Sequence, residues 1–492
     1  MQALIFTTRV LCDPVPILEN PYADMDRKVV SEIYTSSEPL DNLKILCDVH
    51  GSRFPGTTGD LGSVKWMVEK LKSYGIENAR YESYAIPGWK RGPAKLTVIS
   101  PVRKEIDCIS LPHSLAGQVE GKLVWLGDGA IESYEKRRNE IDGNIVMVSS
   151  ANPIGMSRPL HRSEKFMRSV LAGAKGWIFM NQYPAYGPQT GAISPIIPSV
   201  SVSYEDGMFL VRSLEREGDV RLKMETTDRN LDMTTYNVIA DIPSMTNSKE
   251  YVVVGSHYDG HDISQGAEDP ASGAVVVMEI ARNLQMVKDQ LKRRVRCICF
   301  GAEEIGLYGS YNYVAMHEDE MDDTRFMLNL DSGGSKGKKG VILHDFPELE
   351  PFLTKAASEM RAELPTFQRV TPYSDHWPFF LKGVPCGSGG DPEMIRTSTG
   401  RGFGHSKFDT VDKVELDYLR LAAANYTRLL FRIANAEDWK PRRKSQNEIQ
   451  EFIKKQGYDQ TVQLADKVKE HVKAWKEIHP ETKEWMNRKS DW

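Results

Sequence analysis

Apolar and polar positions divide the chain into segments of two periods. Short apolar runs bounded by turn formers predict buried strands, and apolar residues recurring every three to four positions predict helices packed on one face. In residues 227–437 the two patterns alternate. Strands are predicted at 236–242, 251–255, 295–300 and 325–331, and helices at 271–286, 309–317, 347–361 and 416–436. Such alternation implies a mainly parallel sheet covered on both faces. Residues 1–110 predict helices at 22–34 and 61–74, then strands at 79–85 and 94–99, with the turn-rich stretch PGWKRGP (87–93) between the strands. Residues 111–226 have a different texture. Strands are predicted at 122–126, 144–148, 176–180 and 197–202, with helices at 163–174 and 205–217 and no cluster of His and carboxylates. They read as a separate, mainly-β module inserted into the first.

After Trp439 a basic run, KPRRK (440–444), gives way to a charged helical tail. There Trp475, Ile478 and Trp485 form an apolar stripe that predicts packing on the body or on another subunit. The predicted organisation is an N-terminal part of the main domain (1–110), the insert (111–226), the rest of the main domain (227–437) and a helical extension (438–492). The fold class is α/β: a mixed, mostly parallel central sheet with helices on both faces, plus the insert and the tail.

Composition narrows the function without choosing it. The 492 residues suffice for two or three domains. A net charge of -5 gives no reason to expect a nucleic-acid partner. No apolar run approaches the roughly 20 residues that span a bilayer, so no membrane partner is expected. The apolar run before Arg9 is too short for a signal-peptide core. The six cysteines, Cys12, Cys47, Cys108, Cys297, Cys299 and Cys386, show no disulfide-framework or zinc-finger spacing. Cys297 and Cys299 alternate along one strand and read as buried thiols sharing a face. A reduced, cytoplasmic chain is the expectation.

Candidate chemistry concentrates in residues 255–273, GSHYDGHDISQGAEDPASG, between the apolar strand 251–254 and the helix from 274. Here lie His257, Asp259, His261, Asp262, Glu268 and Asp269. A strand that ends in His and acidic residues just before a helix is where an α/β protein places chemistry. Four more groups follow other strands or sit in loops: Glu303 with Glu304, Asp331, Asp375 with His376, and His405. Singly, each has a plain structural explanation, such as a helix N-cap or a turn residue. Jointly, all fall at the carboxyl edge of one sheet. His and carboxylate ligands without thiolate suit zinc, and also manganese or cobalt. Two such ions about 3.5–4 Å apart need a bridging ligand, usually a carboxylate. Arg53, in a turn-rich loop at 50–59, reads as a loop arginine bound to backbone rather than as a substrate-binding cation.

These motifs, in this order, resemble the co-catalytic two-zinc exopeptidases that include bacterial leucine aminopeptidases, plasma glutamate carboxypeptidase and, more distantly, glutaminyl cyclases. The matching stretches are HYD (257–259), GAEDPASG (266–273), EE (303–304), NLD (329–331), SDHWPF (374–379) with GVP (383–385), and HSKFDT (405–410), within residues 236–436. HGSR (50–53) and PGWKRG (87–92) are most similar to the plasma glutamate carboxypeptidase branch. GAKGWIF (173–179) and IPSVSV (197–202) resemble a protease-associated domain.

The resemblance implies a zinc exopeptidase fold with two divalent ions. Asp269 would bridge them, His257 and Asp331 would complete one site, and Glu304 and His405 the other. Glu303 would be the general base, and Asp259 would accept a hydrogen bond from His257. His376 would line the substrate pocket and help stabilise the oxyanion, with Tyr373 a weaker candidate. His261, Asp262 and Glu268 fall back to ordinary loop residues. The implied activity is that of an aminopeptidase or dipeptidase on short peptides, with a carboxypeptidase as the alternative. Arg396 and Arg401 are candidate anchors for a free α-carboxylate, although exposed loop charges are the plainer reading. A glutaminyl cyclase fits less well, because it uses one zinc. So does a receptor on a dead peptidase fold, because every ligand and the base are present. A homodimer or higher homo-oligomer is compatible with the family. Pro270 follows the implied bridging residue, and before proline the trans preference falls to about 0.5–1 kcal/mol, against about 2.5–4 kcal/mol elsewhere. Many relatives carry an acidic or amide residue at this place, joined by a cis peptide, so the resemblance implies that the Asp269–Pro270 bond is cis, a turn that proline makes less costly.

Overall fold

The computed structural model describes residues 19–156, 158–392, 402–439 and 441–478, with residues 471–478 given by their backbone alone. Arg396, Arg401 and Trp485, and the side chains of Trp475 and Ile478, lie outside the described residues. Two eight-stranded sheets organise the chain.

The main sheet runs, edge to edge, through Arg80–Lys90, Arg229–Ile242, Arg294–Phe300, Tyr251–His257, Thr324–Asn329, Cys386–Gly390, Gly340–Leu343 and Thr366–Gln368. Its four central strands, from Arg294–Phe300 to Cys386–Gly390, are parallel, while the flanking pairings include antiparallel ones. Every residue of Tyr251–His257 is buried, as its continuous apolar run requires of a strand covered on both sides. Helices Ser272–Gln285 and Leu416–Asn435 pack together on this sheet, and Tyr308–Met316 packs with His376–Leu381.

Two features of this sheet were not predicted. Arg80–Lys90 runs straight through Pro87, where a turn was expected, and pairs with Arg229–Ile242 along its whole length. It is an edge strand, where proline need not remove a ladder hydrogen bond. Cys386–Gly390 reads CGSGG and carries no apolar periodicity. Its glycines are required by close packing: a Cβ on Gly389 would lie 2.5 Å from Leu330 Cδ2, and one on Gly387 would lie 2.9 Å from Val341 Cγ1.

The second sheet draws its strands from residues 94–226 and so takes in Ala94–Ser100 and Lys104–Ile106, ahead of residue 111. Gly117–Trp125, Ile145–Ser149, Gly176–Met180 and Ser199–Val202 are parallel neighbours at its centre. Helices Arg162–Leu171 and Tyr204–Glu217 cover it, so the insert is itself a layered α/β unit. Ser203 starts the second helix by accepting the Asp206 N–H at 3.0 Å.

Among the described residues the tail packs on the body, one of the two outcomes expected of it. Phe452 of Gln446–Lys455 meets Phe380 of the main domain. Leu464 and Val468 of Asp459–Ile478 are buried in the core of the insert. No helix among the described residues is long and apolar enough to cross a membrane.

Candidate metal centre

Three adjacent parallel strands deliver the candidate residues to one edge. Tyr251–His257 ends in His257, Arg294–Phe300 is followed by Glu303 and Glu304, and Thr324–Asn329 is followed by Asp331. Asp269 arrives in the turn that starts the next helix, and its bond to Pro270 is cis, as expected. His405 enters from a loop, with φ at +64°. Gly404 lets that loop come close, since a Cβ there would lie 2.7 Å from Asp269 Oδ2.

The side chains form two groups. His257, Asp269 and Asp331 offer ligand atoms within 4.8 Å of one another, and so do His261, Glu304 and His405. His257 Nε2 lies 3.4 Å from Asp331 Oδ1 and 3.5 Å from Asp269 Oδ1. His405 Nε2 lies 3.2 Å from Glu304 Oε2 and 3.5 Å from Asp269 Oδ2. Asp269 thus turns one oxygen to each group. Glu303 belongs to neither, and its Oε2 stands 3.9 Å from His257 Nε2.

Surrounding contacts fix these orientations. The Asp259 main-chain carbonyl faces His257 Nδ1 at 3.0 Å, which makes that nitrogen the protonated one and turns Nε2 inward. The sequence expectation had the Asp259 carboxylate in that role. It sits farther off, at 3.7 Å, and accepts instead from the Glu303 and Glu304 N–H groups at 3.1 and 3.3 Å. Ser374 donates to Asp331 Oδ2 at 2.8 Å. Asp409 accepts the N–H groups of Ala267, Glu268 and Asp269 at 3.1, 2.7 and 3.1 Å, holding the turn that presents Asp269. Burial pushes the Asp409 carboxyl up to about 7. His405 Nδ1 donates to the carbonyl of Thr190 at 3.0 Å, and Thr190 N–H donates back to the His405 carbonyl at 2.9 Å. The insert therefore holds a residue of the centre through a backbone atom, which carries no sequence signal.

Arg53 is buried and donates to the carbonyls of Tyr258, Gln265 and Gly266 at 2.7, 2.6 and 2.8 Å. It binds backbone, as its loop setting suggested, and clamps the segment that carries the cluster. His261 requires a correction. Its sequence setting predicts an ordinary loop residue, whereas the clamped loop sets its Nε2 2.8 Å from Glu304 Oε2. Asp262 and Glu268 stay outside both groups: Asp262 is gripped by Arg91, and Glu268 accepts the Phe403 N–H at 2.8 Å.

His376 departs from the donor role expected of it. Its Nε2 faces the Thr371 carbonyl at 2.8 Å, so that nitrogen carries the proton and is already engaged. The ring stacks on His344 at 3.6 Å, and burial holds it neutral, with a pKa lowered to about 4. Tyr373 stacks on His161 of the insert at 4.3 Å.

The electrostatics follow from crowding. Burial pushes the Glu303 carboxyl well above its usual range and Glu304 and Asp331 add to this, with His257 opposing. Burial would raise Glu304 as well, but His261 and His405 draw it well below. Burial would lower His257, but Glu303 and Asp331 hold it well above the usual imidazole range. Asp375, beside them, is raised to about 7 by burial. Buried carboxylates facing one another with no lysine or arginine among the described residues of the cluster need cations. Nitrogen and oxygen donors in two converging groups with one shared carboxylate fit a pair of divalent ions, zinc first.

Residues 237–430 match Peptidase family M28. Carboxypeptidase Q of Mus musculus is 23% identical over 449 residues, covering 86% of this chain and 91% of that protein. The peptidase M28 precursor of Shewanella amazonensis superposes with a TM-score of 0.74 at 21% identity, over 86% of this chain and 98% of the other. The zinc aminopeptidase BSAP of Bacillus subtilis gives a TM-score of 0.65 at 22% identity, over 82% and 96%. These likenesses extend beyond residues 237–430 and cover most of both chains.

Proposed function

The chain belongs to peptidase family M28 through residues 237–430, and from that premise we propose that it is a metal-dependent exopeptidase that releases residues from the ends of short peptides. The observation that carries this reading is the Asp269 carboxylate, one oxygen 3.5 Å from His257 Nε2 and the other 3.5 Å from His405 Nε2. A carboxylate so shared is what a two-ion hydrolytic centre needs. His257, Asp331 and Asp269 would hold one ion, and Glu304, His405 and Asp269 the other.

Divalent ions bound there would polarise the scissile carbonyl and lower the pKa of water toward neutrality. The chain's own groups do the rest. Glu303 stands beside both groups without belonging to either, so its carboxylate takes the proton of the attacking water and returns it to the leaving amine. The Asp259 carboxylate holds Glu303 in place through its N–H, and the Asp259 carbonyl keeps His257 in the tautomer that turns Nε2 inward. Asp409 holds the turn that carries Asp269.

Aminopeptidase or dipeptidase action is the first reading, supported by the likeness to BSAP, whose name is that of a zinc aminopeptidase. Carboxypeptidase action is the second, supported by the likeness to carboxypeptidase Q across 91% of that protein. Dipeptides blocked at the amino or the carboxyl end separate the two, assayed after chelation and after return of zinc, manganese or cobalt. Loss of activity on chelation and recovery with metal are expected. Activity unaffected by complete metal removal contradicts the proposal. A cytoplasmic location is part of the same reading, supported by cysteines that stand as separate buried thiols at Cys47, Cys297, Cys299 and Cys386. Self-association belongs to it too, and light scattering of the purified chain tests it.

A further inference from the structure

We infer that His261 is a ligand of the ion held by Glu304 and His405, so that the two ion sites are chemically unequal. The first site would gather His261, His405, Glu304 and one Asp269 oxygen. The second would gather His257, Asp331 and the other Asp269 oxygen. This deepens the two-ion reading above and rests on it.

The geometry comes first. His261 Nε2 lies 2.8 Å from Glu304 Oε2, and His405 Nε2 lies 3.2 Å from the same oxygen. The two imidazoles meet edge to face at 4.3 Å. His261 Nδ1 and Glu304 Oε1 are buried and lack a hydrogen-bond partner among the described residues. His261 is 1% exposed, so water does not satisfy it from outside. Two imidazole nitrogens converging on one carboxylate oxygen are what ligands show when all of them point at a third atom. A buried imidazole whose Nδ1 is unpartnered and whose Nε2 meets a carboxylate oxygen shared with a second imidazole calls for such an atom.

The placement is also braced on both sides. Before His261, the Gly260 N–H donates to the Ser52 carbonyl at 2.8 Å, and Arg53 holds the Tyr258 carbonyl. After it, both Asp262 oxygens are gripped by Arg91, at 2.6 and 2.7 Å. The loop is pinned on either side of His261.

The consequence is selectivity. Each site has one carboxylate of its own and a share of Asp269, so the sites differ in nitrogen count rather than in charge. Imidazole favours zinc, cobalt, nickel and copper, whereas oxygen donors accept manganese and magnesium more readily. The His261 site therefore fills first and holds zinc tightly. The His257 site fills second and exchanges its ion for manganese.

The test uses the full-length chain stripped of metal and reloaded with cadmium-113. In the wild-type protein two cadmium resonances are expected. Ring protons of His261 and His405 couple to the downfield one, and ring protons of His257 couple to the other. In His261→Phe, which keeps an aromatic ring and removes both nitrogens, only the downfield resonance moves upfield. Zinc titration against a chromophoric chelator then shows the tighter affinity weakened on the order of 100-fold, the upper end of what even an outer-shell partner is worth, and the weaker one unchanged. The wild-type couplings need no variant, so a folding defect in His261→Phe leaves the test intact. Two bound cadmium ions with couplings from His257 and His405 but none from His261 overturn this inference and leave the two-ion reading standing. Failure to bind cadmium at all overturns both.

Discussion

The two sheets have the same plan and opposite uses of buried charge. Each has parallel strands at its centre that are buried along their whole length, such as Ile145–Ser149 in the insert and Tyr251–His257 in the main domain. In the insert the buried charges are matched from within. Glu164 is fully buried between Arg158 and Arg168, at 2.8 and 2.7 Å, and Lys165 donates to the carbonyls of Ser149 and Ala151 at 2.9 and 2.5 Å. At the carboxyl edge of the main sheet, Asp269, Glu303, Glu304 and Asp331 face histidines and one another, and His261 and Glu304 keep buried atoms without partners. A charge network that is complete stabilises its sheet. One that is incomplete in the same way at several residues is built for something that arrives later. The two sheets are also joined, because the insert holds His405 through Thr190.

Substitutions test this contrast. The largest effect is expected at Glu303. Glu303→Gln keeps the metal content and lowers turnover by about 100- to 10,000-fold, the range of general-base catalysis, as metal analysis and steady-state rates would show. Glu164→Gln should do the reverse. It leaves the buried Arg158 and the half-buried Arg168 short of a full partner and lowers stability by about 3–5 kcal/mol, with no change in metal content of the folded fraction. Burial alone would raise the Glu164 pKa, but Arg158 and Arg168 bring it below the ordinary 4.5. Its contribution is therefore complete above about 4.5 and is lost as the pH falls through the lowered folded value. Denaturant titrations between pH 7 and pH 3 should show that loss in the wild-type chain and not in the variant.

A smaller effect is expected where the two regions meet. Arg91 and Asp262 are about one-fifth exposed, 19% and 21%. Arg91→Ala should therefore cost about 1–2 kcal/mol, below the about 3–5 kcal/mol of a fully buried pair, while loosening the loop that carries His261. Thermal denaturation and zinc affinity measure the two consequences. The smallest belongs to the tail. Ser445 and Glu448 form a capping box at the start of Gln446–Lys455, and Ser445→Ala should weaken that helix by about 1 kcal/mol, seen as faster amide exchange over 446–455.

Most of the centre was legible in the sequence because the fold places it simply. His257, Glu303, Glu304 and Asp331 each follow an apolar strand, and strand ends can be read from a linear pattern. The strands themselves were legible where they were apolar. Cys386–Gly390 was not, since its glycines answer to neighbours that only the folded sheet supplies. His261 was passed over for a similar reason. Its direction depends on a loop folded back over Arg53, and no spacing encodes that. The Thr190 carbonyl is a main-chain atom, and any residue type supplies one. His376 was given a donor role from its motif, whereas its Nε2–H is engaged by Thr371.

The central claim is that Asp269 is shared by two ions at the carboxyl edge of the main sheet. Anomalous diffraction at the zinc edge, on crystals of the zinc-loaded protein, tests it most directly. Two peaks about 3.5–4 Å apart, one on either side of the Asp269 carboxylate, are predicted. A single peak, or peaks that do not touch Asp269, would contradict it.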